Sequence, residues 1–216
     1  MLICGDFFEE IKNVGRVDIV FTSPPYNRKR NDKYSNYDDI LNDYYAFLVK
    51  TTETLKTQNP NYIIINLQAN YYNRADVYKY IGNYSKEIQN IIVWEKSNPL
   101  PASGHNITNA YELFIVIGKK PLKSNSTYTK NHITTSVNSE TTTKIHKAVM
   151  KQEVSDWFIE KFTNKGDKVL DCFMGLGTTG VSCAKYGVDF IGIERDQTYF
   201  DIAKQRILNA CGKPRD

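Results

Sequence analysis

The chain has 216 residues, of which 41% are hydrophobic and 24% charged, and its formal net charge is +4. This length fits one domain with a substantial core, and no apolar run approaches the roughly 20 residues that cross a bilayer. The first residues lack the basic and apolar regions of a signal peptide, and the four cysteines form no CxxC pair. We therefore expect a cytoplasmic protein that has no membrane partner, no disulfide framework and no metal site.

Short apolar runs alternate along the chain with amphipathic segments, which is typical of βαβ units. The runs that predict strands are 1–4, 17–22, 62–67, 88–94, 111–117, 168–172 and 190–194. The segments that predict helices are 37–56, 74–83, 151–163, 178–186 and 197–209. We predict a doubly wound, Rossmann-like α/β fold: a mixed sheet of about seven strands with helices on both faces.

One polar segment interrupts this alternation. Fourteen of the twenty residues from Ser124 to Thr143 are Ser, Thr or Asn, and their apolar residues show almost no periodicity. We predict a long loop here, and long loops inside compact domains are usually functional or disordered.

The segment 171–180, DCFMGLGTTG, follows a predicted strand and opens a predicted helix. Gly175 and Gly177 allow the backbone to turn tightly and to approach a ligand closely. The free N–H groups at the start of the helix can bind a carboxylate or a phosphate. Glu194 ends the next strand, where it can accept two hydrogen bonds from a ribose diol. The pattern predicts a nucleoside-type cofactor.

The same glycines also match the dinucleotide fingerprint GxGxxG, so an NAD-dependent dehydrogenase is an alternative. Asp171 argues against it. A carboxylate four residues before the first glycine suits a ligand that carries an ammonium group better than it suits a pyrophosphate.

The segment 22–27, TSPPYN, directly follows another predicted strand. Pro24 and Pro25 fix φ and remove two N–H donors, so the chain leaves the strand in a rigid, extended form. The exocyclic amine of a base is a poor nucleophile because its lone pair is delocalised into the ring. The Ser23 hydroxyl and the Pro24 carbonyl can accept hydrogen bonds from such an amine and draw it towards a nucleophilic geometry. Tyr26 can stack on a base that has rotated out of a duplex.

Together these two segments resemble the amino-methyltransferases of DNA, and their order resembles the permuted beta group of that family. The resemblance covers nearly the whole chain. It implies that Ser23, Pro24, Pro25 and Tyr26 are catalytic and that a methyl group passes directly from S-adenosylmethionine to an amine in double-stranded DNA. In this family Ser-Pro-Pro goes mostly with cytosine N4 and Asp-Pro-Pro mostly with adenine N6. We therefore predict cytosine N4, with adenine N6 as the alternative.

The resemblance also implies a set of cofactor-binding residues. Asp6 would contact the cofactor adenine, and the segment 146–150 would line the methionine end of the pocket. The predicted set is Asp6, His146, Lys147, Val149, Asp171, Phe173, Gly175, Gly177, Thr178, Thr179 and Glu194. The chain departs from the family at Cys172, where proline is usual.

Two basic clusters predict contacts with DNA phosphates. They are Arg28, Lys29, Arg30 and Lys33 after the catalytic segment, and Lys119, Lys120, Lys123 and Lys130 further on. We predict one domain over residues 1–216: a catalytic half at 1–118, a target-recognition region at 119–145 and a cofactor-binding half at 146–216.

The region 119–145 is short for target recognition, so we expect a homodimer or a companion methyltransferase subunit. The family implies a cognate restriction endonuclease as a further partner. Two alternatives stay open: a half-active subunit that needs its partner, and a methyltransferase that acts on amines of RNA or of protein glutamine.

Overall fold

A computed structural model describes residues 1–27, 41–99, 108–136 and 149–212. Its strands are β1 Leu2–Cys4, β2 Ile19–Thr22, β3 Tyr62–Leu67, β4 Ile88–Lys96, β5 Tyr111–Gly118, β6 His132–Thr135, β7 Lys168–Asp171 and β8 Asp189–Glu194. Its α-helices are α1 Phe7–Glu10, α2 Tyr44–Lys56, α3 Arg74–Asn83, α4 Gln152–Phe162, α5 Thr178–Tyr186 and α6 Gln197–Cys211. A short 3₁₀ helix, Ile11–Asn13, follows α1.

All eight of these strands form a single mixed sheet in the order β1-β8-β7-β2-β3-β5-β4-β6. The first five strands in this order are parallel. β5 runs antiparallel to both of its neighbours, and β6 is parallel to β4. β7 and β2 are adjacent, and the strands that follow them along the chain lie on opposite sides: β8 lies beyond β7, and β3 lies beyond β2. In open α/β sheets, ligands bind outside the carboxyl ends of the strands at such a reversal.

The sheet is covered on both faces because alternate residues of each strand point to opposite sides. One core combines Val20, Ile63 and Ile65 of the sheet with Leu48 and Leu55 of α2 and with Val77 and Tyr80 of α3. The other combines Ile19, Phe21 and Ile64 with Val154, Phe158 and Ile159 of α4. The near-continuous apolar strands are therefore explained by burial on both sides.

The predicted fold class is confirmed, with eight strands in the described part of the chain where about seven were expected. The additional strand is β6, which lies inside the segment predicted to be a loop. β6 pairs with β4 along the sheet edge, where Trp94 Nε1 donates to Thr135 Oγ1 at 2.9 Å. Its polar sequence carries no strand periodicity, so only pairing with β4 defines it.

The helix predicted from residue 37 begins at Tyr44 in the part of the chain that is described. Asp43 is its N-cap, and the Asp43 carboxylate accepts from the Ala46 N–H at 2.8 Å. Such a cap satisfies an N–H group that has no partner within the helix. Among the described residues, no helix combines the length and apolarity that crossing a membrane requires.

Candidate active site

A cavity of about 420 Å³ opens beside the carboxyl ends of β2, β7 and β8. Both segments singled out in the sequence form its walls: residues 23–26, which follow β2, and 171–176 with 178 and 179, which end β7 and begin α5. The cavity therefore lies at the point where the strand order reverses, as the fold class predicts.

Asp171 joins the two segments. Its Oδ1 accepts from the Thr22 hydroxyl at 2.7 Å and from the Phe173 N–H at 3.2 Å, and its Oδ2 accepts from the Thr179 hydroxyl at 2.7 Å. Burial raises the pKa of the Asp171 carboxyl to about 6, although the bonds from Thr179 and Thr22 oppose this shift. A cation bound beside this carboxylate would favour its charged form. Asp171 is thus suited to hold an ammonium group.

The glycine loop presents its backbone to the cavity. Gly175 has a φ of +51°, in the left-handed region, and a Cβ built there would meet no atom within 4 Å. The Gly175 N–H donates to Glu194 Oε2 at 2.8 Å, and the Asp196 N–H donates to Glu194 Oε1 at 2.9 Å. Burial raises the pKa of Glu194, and these two backbone donors oppose the shift. Glu194 therefore stabilises the glycine loop through its hydrogen bond with Gly175, and it also lines the cavity.

Gly177 has a different role from Gly175. It is the N-cap of α5 with a φ of +76°, and a Cβ there would lie 2.9 Å from the Cβ of Ala203 on α6. Gly177 is not among the residues that line the cavity. Gly177 therefore allows the turn into α5 and the close packing of that turn against α6, and it does not face the cavity.

An aromatic wall completes the cofactor end of the cavity, and the sequence analysis missed most of it. The Phe7 ring centroid lies 4.7 Å from that of Phe8 and 5.5 Å from that of Phe173, and Phe47 lies 6.0 Å from Phe173. Asp6 caps α1 by accepting from the Phe8 N–H at 2.8 Å. Aromatic rings beside a carboxylate suit a flat heteroaromatic ring that carries an amine. The doublet Phe7-Phe8 after Asp6 was the available signal.

The Ser23 and Tyr26 hydroxyls are bound to one another on the wall of the cavity that follows β2. Their oxygens lie 2.9 Å apart, and the Ser23 hydroxyl also donates to Asn66 Oδ1 at 3.1 Å. The Tyr26 hydroxyl contacts Asn66 Oδ1 and donates to Glu112 Oε2 at 3.0 Å. Tyr26 is only 8% exposed. The catalytic segment is therefore held by a buried polar network that reaches β3 and β5.

An ion pair ends this network. Lys96 Nζ lies 2.5 Å from Glu112 Oε1, and their side chains are 19% and 6% exposed. Lys96 also lies 5.1 Å from the centre of the Trp94 ring. Buried carboxylates require such partners. This pair was not predicted from the sequence, although an acid inside the apolar strand β5 was a signal.

Eight of the predicted cofactor-binding residues line the cavity: Asp6, Val149, Asp171, Phe173, Gly175, Thr178, Thr179 and Glu194. Six predicted site residues lie outside the described residues: Arg28, Lys29, Arg30, Lys33, His146 and Lys147. All four predicted catalytic residues, Ser23, Pro24, Pro25 and Tyr26, line the same cavity.

The structure does not bring the second basic cluster to the cavity. β5 is antiparallel to β3, and its last residue, Gly118, pairs with Tyr62 at the beginning of β3. Lys119 and Lys120 therefore lie near the amino end of β3, away from the carboxyl ends that border the cavity. There Lys119 Nζ donates to Asn59 Oδ1 at 3.2 Å. Lys123 and Lys130 lie in the segment between β5 and β6, and β6 is the outermost strand of the sheet on that side.

This architecture, a reversal-point cavity between a glycine loop and a Ser-Pro-Pro-Tyr strand exit, defines a Rossmann-like transferase that binds a nucleoside cofactor. A family model described as DNA methylase, which spans N6 and N4 methyltransferases, matches residues 17–205. The chain belongs to this DNA methylase family, and the resemblance stated from the sequence is confirmed.

Two curated relatives are type II methyltransferases. M.HinfI from Haemophilus influenzae is 27% identical, and the match covers 100% of this chain and 70% of that protein. M.MwoI from Methanothermobacter wolfeii is also 27% identical, over 95% of this chain and 34% of that protein. The chain thus spans about a third of the second relative.

Solved structures agree with the family. The PvuII DNA methyltransferase (cytosine-N4-specific) superposes with a TM-score of 0.78 at 16% identity, over 95% of this chain and 85% of that one. That likeness shows the fold alone. The M1.HpyAVI complex with S-adenosylmethionine gives a TM-score of 0.69 at 25% identity, over 96% of this chain and 98% of that one.

Proposed function

We propose that this DNA methylase transfers the methyl group of S-adenosylmethionine to the exocyclic N4 amine of cytosine in double-stranded DNA. The target base would rotate out of the duplex into the cavity. One observation carries the proposal: the acceptors of Ser23 and Pro24 and the cofactor loop after Asp171 line one cavity, joined by the Thr22–Asp171 hydrogen bond of 2.7 Å. Two bound reactants held in this way gain most of their rate from positioning.

The cavity has the carboxylate acceptors that the ammonium, ribose and adenine groups of S-adenosylmethionine would need. Asp171 would hold its ammonium group, Glu194 its ribose hydroxyls, and Asp6 with the aromatic wall its adenine. The open space over Gly175 admits a ligand where a Cβ would otherwise stand. When bound, S-adenosylmethionine supplies an electrophilic methyl group on sulfur. No metal has a part in this proposal.

The polar network prepares Ser23 to accept a hydrogen bond from the target amine. Each hydroxyl has one proton to donate. The Tyr26 proton is directed to Glu112, which is paired with Lys96, and the Ser23 proton is directed into the network at Asn66 or Tyr26. The remaining lone pairs of Ser23 and the Pro24 carbonyl are then available to the amine. Accepting its N–H groups localises the nitrogen lone pair and makes the amine nucleophilic.

The choice of cytosine over adenine rests on Ser23, since Ser-Pro-Pro accompanies cytosine N4 in most of the family. The name of the PvuII enzyme, cytosine-N4-specific, agrees with it. Adenine N6 is the second candidate, because both bases present an amine beside a ring acceptor and a hydroxyl can serve either one.

Methylation at cytosine C5 requires a thiolate nucleophile, and the cysteine in the cavity does not provide one. Burial raises the pKa of the Cys172 thiol well above its usual value, so the thiol stays neutral. Its sulfur lies 3.5 Å from the Thr22 hydroxyl, within the joint between β2 and β7. Cys172 fills the position of the family's proline as a small buried side chain.

We also infer a cytoplasmic location, a cognate restriction endonuclease and a second subunit, either another copy or a companion methyltransferase. The type II relatives support the endonuclease. The short recognition region supports the second subunit.

Activity is tested by incubating the purified chain with tritiated S-adenosylmethionine and DNA from a host without DNA methylases. We expect tritium in the DNA and an initial rate of incorporation that is about a hundred- to a thousandfold lower with the Ser23→Ala variant. Tritium in structured RNA but not in duplex DNA would contradict the proposal. Incorporation only after a partner is added would identify the chain as a half-active subunit.

A further inference from the structure

Two adjacent tyrosines stand in solvent on the loop between β3 and α3. Tyr71 is 73% exposed and Tyr72 is 53% exposed, and their rings form a T-shaped pair with centroids 5.4 Å apart. The guanidinium carbon of Arg74 lies 5.5 Å from the centre of the Tyr71 ring. Tyrosine is intermediate in its usual burial, so these two adjacent rings, each more than half exposed, leave a continuous aromatic area in solvent. Two exposed neighbours with an attached cation are typical of a surface that meets a partner.

This segment, residues 68–74, is called the tyrosine loop below, and its backbone is firmly held. The Asn70 N–H donates to Asn73 Oδ1 at 2.7 Å, and the Asn73 N–H donates back to Asn70 Oδ1 at 3.2 Å. The Tyr72 N–H donates to the same Asn70 oxygen at 2.8 Å, and Asn109 Nδ2 donates to the Ala69 carbonyl at 2.5 Å. Asn73 is completely buried. The tyrosines are therefore exposed on an ordered support, which lowers the entropic cost of binding.

The same two asparagines connect the tyrosine loop to the catalytic segment. Asn73 Nδ2 donates to the Tyr26 carbonyl at 2.6 Å, and Asn70 Nδ2 donates to it at 3.2 Å. The loop follows the carboxyl end of β3, which pairs with β2 in register up to Thr22. The tyrosine loop thus lies beside Tyr26, a residue of the cavity wall, at the carboxyl ends of β2 and β3.

We propose that the tyrosine loop is the surface that holds the DNA strand from which the target base is taken. This proposal rests on DNA being the substrate. A base that leaves the duplex also leaves its neighbours unstacked. Tyr71 and Tyr72 stack on these exposed bases. Such stacking does not depend on the DNA sequence, because every base has a π-face. Arg74 binds the adjoining phosphate. Lys119 and Lys120 follow Gly118 beside the beginning of β3, the end of that strand opposite the tyrosine loop, so they are not part of this surface.

The test measures binding, so it does not depend on the recognition sequence or on turnover. Fluorescence anisotropy measures the affinity for two duplexes: one fully paired, and one that differs from it by a single cytosine·adenine mismatch. The mismatch is chosen because an unpaired cytosine is already partly unstacked. The variants are Tyr71→Ala/Tyr72→Ala and Arg74→Ala. Tyr128→Ala is the matched control, since Tyr128 is 79% exposed and is separated from the cavity edge by β6.

We expect the unsubstituted protein to prefer the mismatched duplex and the double tyrosine variant to lose this preference, with at least a tenfold loss of affinity for the mismatch. Arg74→Ala should weaken both duplexes alike and reduce the slope of log affinity against log salt by about 1. Tyr128→Ala should stay within about twofold of the unsubstituted protein, as expected for a surface position away from an interface.

Three results would overturn the proposal. The double tyrosine variant could bind like Tyr128→Ala. The Tyr128 variant could lose as much affinity as the double variant, which would move the surface to the other edge. Sedimentation could show that the double variant converts a dimer to a monomer while its mismatch preference persists, which would assign the loop to a second copy of the chain. If the protein binds the mismatch through these tyrosines but transfers no methyl group, the proposed function fails and this inference stands.

Discussion

The hydroxyl of Tyr26 lies 3.0 Å from the carboxylate of Glu112, a residue 86 positions further along the chain. Glu112 is only 5% exposed, and Lys96 lies 2.5 Å from its other oxygen. A charged acceptor is stronger than a neutral one. This ion pair therefore determines the direction of the Tyr26 proton and, through it, the hydrogen bonding of Ser23.

Glu112→Gln should lower kcat by about ten- to a hundredfold, the range that corresponds to roughly 1.4–2.7 kcal/mol. The KM for S-adenosylmethionine should not change, because Glu112 does not line the cavity. Steady-state kinetics measures both. The substitution also leaves Lys96 without its buried partner, which lowers the melting temperature.

The double variant Glu112→Gln/Lys96→Met separates positioning from stability. It removes both charges, so the melting temperature should recover while kcat stays low. If kcat recovers together with the melting temperature, the pair stabilises the fold only and has no part in positioning Tyr26.

Ser23→Ala should reduce kcat by about a hundred- to a thousandfold, the loss that follows removal of one well-placed hydrogen-bonding group in an active site. The affinity for S-adenosylmethionine, measured by calorimetry, should stay within about twofold because the Ser23 hydroxyl is bound to Tyr26 and Asn66 and not to the carboxylates assigned to the cofactor. Ser23→Thr keeps a hydroxyl and is the matched control. An alanine variant with full activity would remove Ser23 from the mechanism.

Asp171→Asn tests the ammonium site through pH. Burial raises the pKa of Asp171 from 3.8 to about 6. The carboxylate that binds an ammonium group is therefore lost as the pH falls through 6, and the affinity of the unsubstituted protein for S-adenosylmethionine should fall with it. The asparagine variant should bind about tenfold or more weakly at pH 8, without this pH dependence. Calorimetry at pH 5, 6, 7 and 8 measures the effect.

The same substitution should act on stability in the opposite direction. Because the folded pKa is raised, the folded protein binds a proton that the unfolded chain releases between about pH 4 and 6. The stability from this group is present below pH 4 and is lost as the pH rises through 6. Without ligand, Asp171→Asn should therefore melt a few degrees higher than the unsubstituted protein at pH 8 and equally at pH 4. A lower melting temperature at pH 8 would contradict this account.

Gly175→Ala and Gly177→Ala form a matched pair, because both place a Cβ on a residue with positive φ, at roughly 1–2 kcal/mol. Gly175→Ala adds its methyl group to open space at the cavity, so it should weaken S-adenosylmethionine binding by tenfold or more with a small change in melting temperature. Gly177→Ala meets Ala203 at 2.9 Å, so it should lower the melting temperature further. Equal effects on binding and melting would contradict the different roles of the two glycines.

Local sequence predicted the elements with strong periodicity or clear ends. The bounds of β3, α3 and α5 match the predictions to the residue. In the structure Gly177 and Gly187 flank α5 with left-handed φ values of 76° and 70°, which agrees with these bounds. The strand β6 could not be predicted because its polar residues acquire strand structure only from pairing with β4.

The site was predictable where its residues follow one another along the chain. Residues 22–26 and 171–179 each carry a local motif, and two adjacent strands bring the motifs together. The Lys96–Glu112 pair depends on β4 lying beside β5, which no local pattern shows. The antiparallel direction of β5 likewise places Lys119 near the amino end of β3, at the opposite end of the strands from the cavity.

We propose that this site methylates the N4 amine of cytosine. Nucleoside mass spectrometry of DNA incubated with the purified chain and S-adenosylmethionine tests it most directly. We predict N4-methylcytosine, formed about a hundred- to a thousandfold more slowly in the Ser23→Ala reaction. N6-methyladenine without N4-methylcytosine would contradict the assignment of the base, and 5-methylcytosine would contradict the mechanism.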